Sequence, residues 1–192
     1  MQLLAQPRRA VRGLTLVELS VVLVVLLVAV SIYSNTLAAT ARQRVMQRES
    51  ALAAEAARTT LEQMLNTPFH QRYALFNADP LDDPGGAGTA PGSRFAVAGL
   101  PAVVGAPGGR AGEIRFPVLN VGTVGAPSWE LREDVVDAAL SMPRDLDSNF
   151  RVDALDHSEN YTRLPVEVIV EWQGRVGRQR YRLISLMVEI RR

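Results

Sequence analysis

Residues 14–33 form an almost unbroken apolar run, and that run limits what the chain can fold into more than any other feature. Of its 20 residues only Thr15, Glu18, Ser20 and Ser31 are not apolar. As an α-helix, a stretch of this length rises about 30 Å, the thickness of a bilayer's hydrocarbon core. One carboxylate, Glu18, stands near its start. A charge inside a spanning helix costs about 2.5–3.5 kcal/mol on insertion scales when central, so Glu18 calls for a partner. The residues before the run, 1–13, include Arg8, Arg9 and Arg12 and no acid. Positive charge beside a first apolar helix holds that end in the cytoplasm and sends the C-terminal bulk across the membrane.

The stretch Gly13-Leu14-Thr15-Leu16-Val17-Glu18, followed by the apolar run, resembles the cleavage and methylation signature of type IV prepilins and of the related pseudopilins of type II secretion. The resemblance implies that residues 1–13 are a leader, that a prepilin peptidase cuts after Gly13, and that the new amino group of Leu14 is methylated. It also implies that Glu18, fifth in the mature chain, pairs with a terminal amine as subunits enter a filament. Leu14 departs from the pattern, since the family most often has Phe there. The physical logic is consistent with this. A lone carboxylate in hydrocarbon tends to take up a proton, whereas a cation restores its charge, and removing the leader would free that cation. The implied partners are the peptidase, other pilin or pseudopilin subunits, an inner-membrane assembly platform and the lipid bilayer. The residues alone leave two other readings open, a plain single-pass anchor and a cleaved secretory signal, which also starts basic and apolar. Against the signal, the run is long and has no clear small-x-small exit, although Val30-Ser31-Ile32 and Leu37-Ala38-Ala39 leave some room.

The helix is expected to continue beyond the run. Residues 36–65 contain neither Gly nor Pro and are rich in Ala, Arg, Gln, Glu and Leu, all strong helix formers. Leu37, Ala41, Val45, Leu52 and Ala56 fall at spacings of four or seven, as on one helical face, and Leu61, Met64 and Leu65 close the segment. Arg42, Arg44, Arg48 and Arg58 fill much of the rest. One helix over residues 14–65, with 14–34 transmembrane, would be about 78 Å long at about 1.5 Å per residue. The alternative is two helices broken near residues 31–35. Pro68 ends the helix, because the residue before a proline is pushed out of the α region.

Residues 66–192 read as a β-rich head. Residues 79–112 are dense in Pro and Gly, as in Pro84-Gly85-Gly86 and Pro107-Gly108-Gly109, and predict loops, with a short strand at Arg94-Phe95-Ala96-Val97. Residues 113–118 alternate like a strand, and Pro117 favours an edge. Leu131, Val135, Ala139 and Leu140 share a helical face, so a short helix is expected from Ser128 through Leu140, stopped by Pro143. Val166, Val168, Val170 and Trp172 alternate with Glu167 and Glu171, and a loop over 173–177 leads to a second strand from Arg178 to Ile190. Glu167 or Glu171 would then meet Arg180 or Arg182. This ending loosely resembles the C-terminal hairpin of minor pilins in the type IV pilus modification subgroup. The expected fold class is therefore α+β, pilin-like: a long N-terminal helix, its second half amphipathic, packed on a C-terminal antiparallel sheet.

Chemistry of other kinds finds little footing. The chain has no Cys and a formal net charge of +1, which excludes thiolate sites and gives no general push toward nucleic acid. Nucleic acid remains an alternative ligand for the head, without a basic stripe interleaved with aromatics to support it. His70 and His157, the two histidines, belong to no spaced ligand set and are expected in surface or loop positions. Asp145-Leu146-Asp147-Ser148-Asn149 opens like a calcium loop, but Phe150 stands where the sharp turn needs Gly. Asp79, Asp82 and Asp83 read as turn residues. No catalysis, cofactor or metal is expected. The expectation is a structural subunit of a type IV pilus or related filament, a minor pilin, in the bacterial inner membrane with its N-terminus cytoplasmic and its head periplasmic or extracellular. The alternatives are a type II secretion pseudopilin and a pilin-anchored binding module for DNA or a surface ligand.

Overall fold

The computed structural model describes residues 15–189, apart from 124 and 126. The first helix, α1, runs Leu16–Leu65 as one element, so the break considered near residues 31–35 does not occur. The chain divides into two compact units between Arg44 and Val45, and each is taken by itself.

In the first unit α1 is long and apolar enough to cross a membrane, and none of its most apolar 18-residue window is buried. Three of its hydroxyls turn back on the helix. Ser20 Oγ donates to the Val17 carbonyl (2.8 Å), Thr36 Oγ1 to Ile32 (2.9 Å) and Thr40 Oγ1 to Thr36 (2.8 Å). Polar atoms satisfied within the segment are what a bilayer demands of a spanning element.

The second unit is the head. Strand β1 is Arg94–Phe95, β2 is Gly112–Arg115, β3 is Val118–Asn120, β4 is Trp129–Leu131, β5 is Arg163–Gly174 and β6 is Gly177–Val188. Among the described residues they form one antiparallel sheet in the order β1-β2-β5-β6 and a small second sheet of β3 and β4. The period-2 pattern of β5 decides its faces. Leu164, Val166, Val168, Val170 and Trp172 point inward and are buried. The turn into β6 is tighter than the expected loop: Gly174 pairs with Gly177 around Arg175-Val176, and Gly177 takes a φ of 116° that only glycine adopts readily. Gly112 is required for another reason. It pairs with Phe95, and a Cβ at Gly112 would lie 2.3 Å from the Phe95 ring.

Two expectations for the head are overturned. The stretch 113–118 is not one edge strand. It splits at Phe116-Pro117, β2 lies between β1 and β5, and Val118 joins the other sheet. Nor is there a helix from Ser128 to Leu140. Leu131 pairs with Val118, and its carbonyl accepts the His157 N–H (2.8 Å), so its backbone is committed to strand and loop partners. The Asp137 carboxylate then accepts the Ala139 N–H (2.9 Å) and folds the following residues into a turn.

The head part of α1 packs on the inner face of the large sheet. Ala53, Ala57, Thr60 and Met64 are its buried residues, with Leu52 and Leu61 flanking the core. The buried stripe is thus one residue round from the expected Leu52–Ala56 line. Trp172 Nε1–H donates to Glu49 Oε2 (3.1 Å), tying helix to strand. At the helix end the Arg72 guanidinium donates to the carbonyl of Leu65 (3.0 Å), which the last turn leaves without an intrahelical partner, and to that of Thr67 (3.2 Å) just beyond it. Arg72 opens α2, Arg72–Phe76, after a 3-10 turn at Phe69–Gln71. The whole is α+β: a 50-residue N-terminal helix with a long apolar stretch, and a C-terminal antiparallel sheet arrangement of four plus two strands.

Candidate assembly site and the polar centre of the head

Glu18 sits in the first turn of α1, and Thr15 immediately precedes that helix. The two side chains close a reciprocal ring. Thr15 N–H donates to Glu18 Oε2 (3.0 Å), Thr15 Oγ1–H donates to the same oxygen (3.1 Å), and Glu18 N–H donates to Thr15 Oγ1 (3.3 Å). This is a capping box, in which a Thr cap and a Glu three residues later each satisfy a backbone N–H the helix leaves open. The carboxylate also lies at the positive end of the helix dipole. Sequence reasoning singled out Glu18 as a charge in need of a cation and missed this second role. The signal was present, since Thr-x-x-Glu before an apolar run is the box's signature. Gly13 and Leu14, the expected cut and methylation sites, lie outside the described residues.

A second polar constellation holds the loops after β4 together. Glu133 is fully buried. Its Oε1 accepts the N–H groups of Leu146 (2.5 Å) and Asp147 (3.3 Å), and its Oε2 accepts that of Asp153 (3.1 Å). His157 is 2% exposed, so the expectation of a surface residue fails, though it does lie in a loop. Its Nε2 is 3.1 Å from Asp153 Oδ1 and its Nδ1 is 3.1 Å from Asn160 Oδ1. His70, by contrast, keeps a largely exposed side chain 3.0 Å from Glu189.

Asp145 gathers the next loop by accepting the N–H groups of Ser148 (2.6 Å) and Phe150 (2.9 Å). Burial works against its charged form, but those two donors and nearby Arg163 outweigh it, so its carboxyl stays below the usual range. Asp153 is likewise held low, chiefly by the Leu155 N–H, with His157 adding to the effect.

Donor atoms of Glu133, Asp153 and His157, and of Glu133, Asp145 and Asp147, lie within 4.8 Å of one another, close enough to share a cation. Both Glu133 oxygens are already committed to backbone N–H groups, so the observed work of this centre is to stitch loop backbone. The spacing of Asp145 and Asp147 singles out part of it, but nothing local points to Glu133, Asp153 or His157, which chain folding across residues 133–160 brings together.

The outer face of the large sheet carries ion pairs. Glu167 is fully buried between Arg115, at 3.4 Å, and Arg182, whose guanidinium donates to it. Glu171 meets Arg178 (2.7 Å) and Arg180 (3.8 Å). The expected cross-strand pairs between these glutamates and Arg180 or Arg182 therefore form, with Arg115 and Arg178 as additional partners. Between the sheets lies a cavity of about 500 Å³ whose lining includes Tyr73, Phe116, Trp129 and Asp137. Compared with protein-family models, with curated proteins and with solved structures, the chain matches none of them.

Proposed function

We propose that this chain is a prepilin-like structural subunit, most like a minor pilin, which a prepilin peptidase cuts after Gly13 and methylates on Leu14, and which enters a filament through its N-terminal helix. The observation that carries the reading is one ordered conjunction: Gly13, Glu18 at the head of a 50-residue helix, an apolar stretch long enough to cross a membrane, and an antiparallel head on the far half of that helix. The capping box supports it in detail. Both Thr15 bonds fall on Oε2 of Glu18, and Oε1 accepts none of them, so it is the atom offered to an incoming amine. Before the cut the leader occupies that amine as an amide. After it, a neighbouring subunit's Leu14 amine, or the chain's own, supplies the cation that a carboxylate in an apolar setting needs.

Two substitutions separate the roles of Glu18. Glu18→Gln keeps an acceptor for the capping box and removes the charge, whereas Glu18→Ala removes both. Both variants should insert in the membrane and mature to methylated Leu14 by mass spectrometry, yet enter filaments about tenfold less than the parent, the effect of losing roughly 1.4 kcal/mol of pairing. Full incorporation of Glu18→Gln would remove the charge role, and an intact Met1 or a cut beyond residue 30 would overturn the reading.

A further inference from the structure

β6 ends the large sheet, and among the described residues no strand lies along its outer edge. It is 12 residues long, about twice the usual strand. An edge of this kind presents a row of open N–H and C=O groups at alternate residues. Natural edges are commonly blunted by charged side chains, prolines, bulges or short length, and on β6 the exposed charges are confined to its first half, at Arg178, Arg180 and Arg182. β6 contains no Pro, and its pairing with β5 runs without a slip from Arg163↔Val188 to Gly174↔Gly177.

The exposed side chains of β6 divide into two halves. Arg178, Arg180 and Arg182 come first, and Ile184, Leu186 and Val188 follow, the last three 48%, 40% and 51% exposed. The basic half is only partly answered from within. Its three guanidinium groups face two carboxylates, Glu167 and Glu171, and Glu167 is shared with Arg115. Arg180 is the least committed, reaching Glu171 only at 3.8 Å, beyond hydrogen-bond distance.

We propose that β6 accepts an extended segment of a partner protein as an added antiparallel strand, acidic opposite the arginines and aliphatic opposite Ile184, Leu186 and Val188. Strand addition would satisfy the open backbone, and the two halves of the exposed row would set register and partner choice. A polyanion such as nucleic acid would answer the arginines but neither the aliphatic half nor the edge backbone. A second copy of β6 fits less well: in parallel register it sets arginine against arginine, and in antiparallel register it supplies no acid.

The test uses the full chain in detergent micelles and a fluorescent eleven-residue peptide, Val-Thr-Val-Thr-Val-Thr-Glu-Thr-Glu-Thr-Glu, read by anisotropy. Saturable binding is expected. N-methylation of the amides that face the edge should abolish it, while N-methylation of the opposite set should not. The protein variant Arg180→Glu should bind about tenfold more weakly, and a peptide with Lys in place of the Glu opposite residue 180 should recover that loss. The peptide changes leave the protein untouched, so they decide the matter whatever the variant's stability. No binding, binding indifferent to N-methylation, failure of the Lys peptide to recover affinity, or equal displacement by a short oligothymidylate would each overturn the proposal, the last by assigning the arginines to polyanions. None of these results bears on the cut after Gly13 or on Glu18.

Discussion

Glu133 accepts three backbone N–H groups from a loop that begins 13 residues further along the chain, and it does so at zero exposure. Removing it leaves one buried donor, Leu146 N–H, and two part-buried ones without partners, each fully buried loss costing about 1–3 kcal/mol. Glu133→Ala should therefore lower the head's stability by about 3 kcal/mol or more, read as a fall in the denaturant midpoint at constant slope. Glu133→Gln, which keeps a carbonyl acceptor but turns an NH2 toward a donor, should fall between the two. A carboxylate used this way is invisible in sequence. Glu18 announced itself because apolar neighbours made it an exception, whereas Glu133 sits in Arg132-Glu133-Asp134, an ordinary charged surface string. The burial of His157 within its loop is hidden for the same reason: it depends on Asp153, Asn160 and Glu133 closing round it, and local composition carries no trace of that.

Elements were legible in proportion to the strength of their period. The β5–β6 hairpin combines strict alternation with glycines at the turn, and both strands and their ion pairs follow from it. The length of α1 follows from the absence of Gly and Pro over residues 36–65. The region 128–140 misled because Leu131, Val135 and Ala139 are spaced by four, yet Leu131 is taken by β3 before a helix can use it. Among the described residues, helix and sheet share one polar contact, Trp172 to Glu49, set beside a large apolar burial. The two parts differ in weight. Glu49→Ala should cost about 1 kcal/mol, one hydrogen bond, and Trp172→Ala about 3–5 kcal/mol, mostly packing. The double variant should cost less than the sum, since the pair shares the bond, and denaturant midpoints of the four proteins would reveal that coupling.

At the scale of the molecule, the core cluster from Ala53 to Met187 lies wholly within the second unit, while the side chains at the start of α1, such as Leu16 at 85% and Leu27 at 73%, are exposed. The packed core and the stretch long and apolar enough to cross a membrane thus occupy different parts of one chain. A fragment of residues 45–192 should fold cooperatively, with an unfolding free energy within about 0.5 kcal/mol of the full chain's head in detergent, followed by tryptophan fluorescence. A fragment lacking cooperative unfolding would show that the apolar part contributes to the core.

The ring formed by Thr15 and Glu18 bears on distance. With Thr15 N–H already fastened, a cut after Gly13 would leave a tether of one residue between the new amine and a fixed point. One residue spans about 3.8 Å from Cα to Cα. In the filament proposed above, the amine could then sweep only a small volume around the helix start, and a neighbouring carboxylate would find it at nearly the same place on every subunit. A repeating polymer needs that uniformity of address more than it needs a strong single bond.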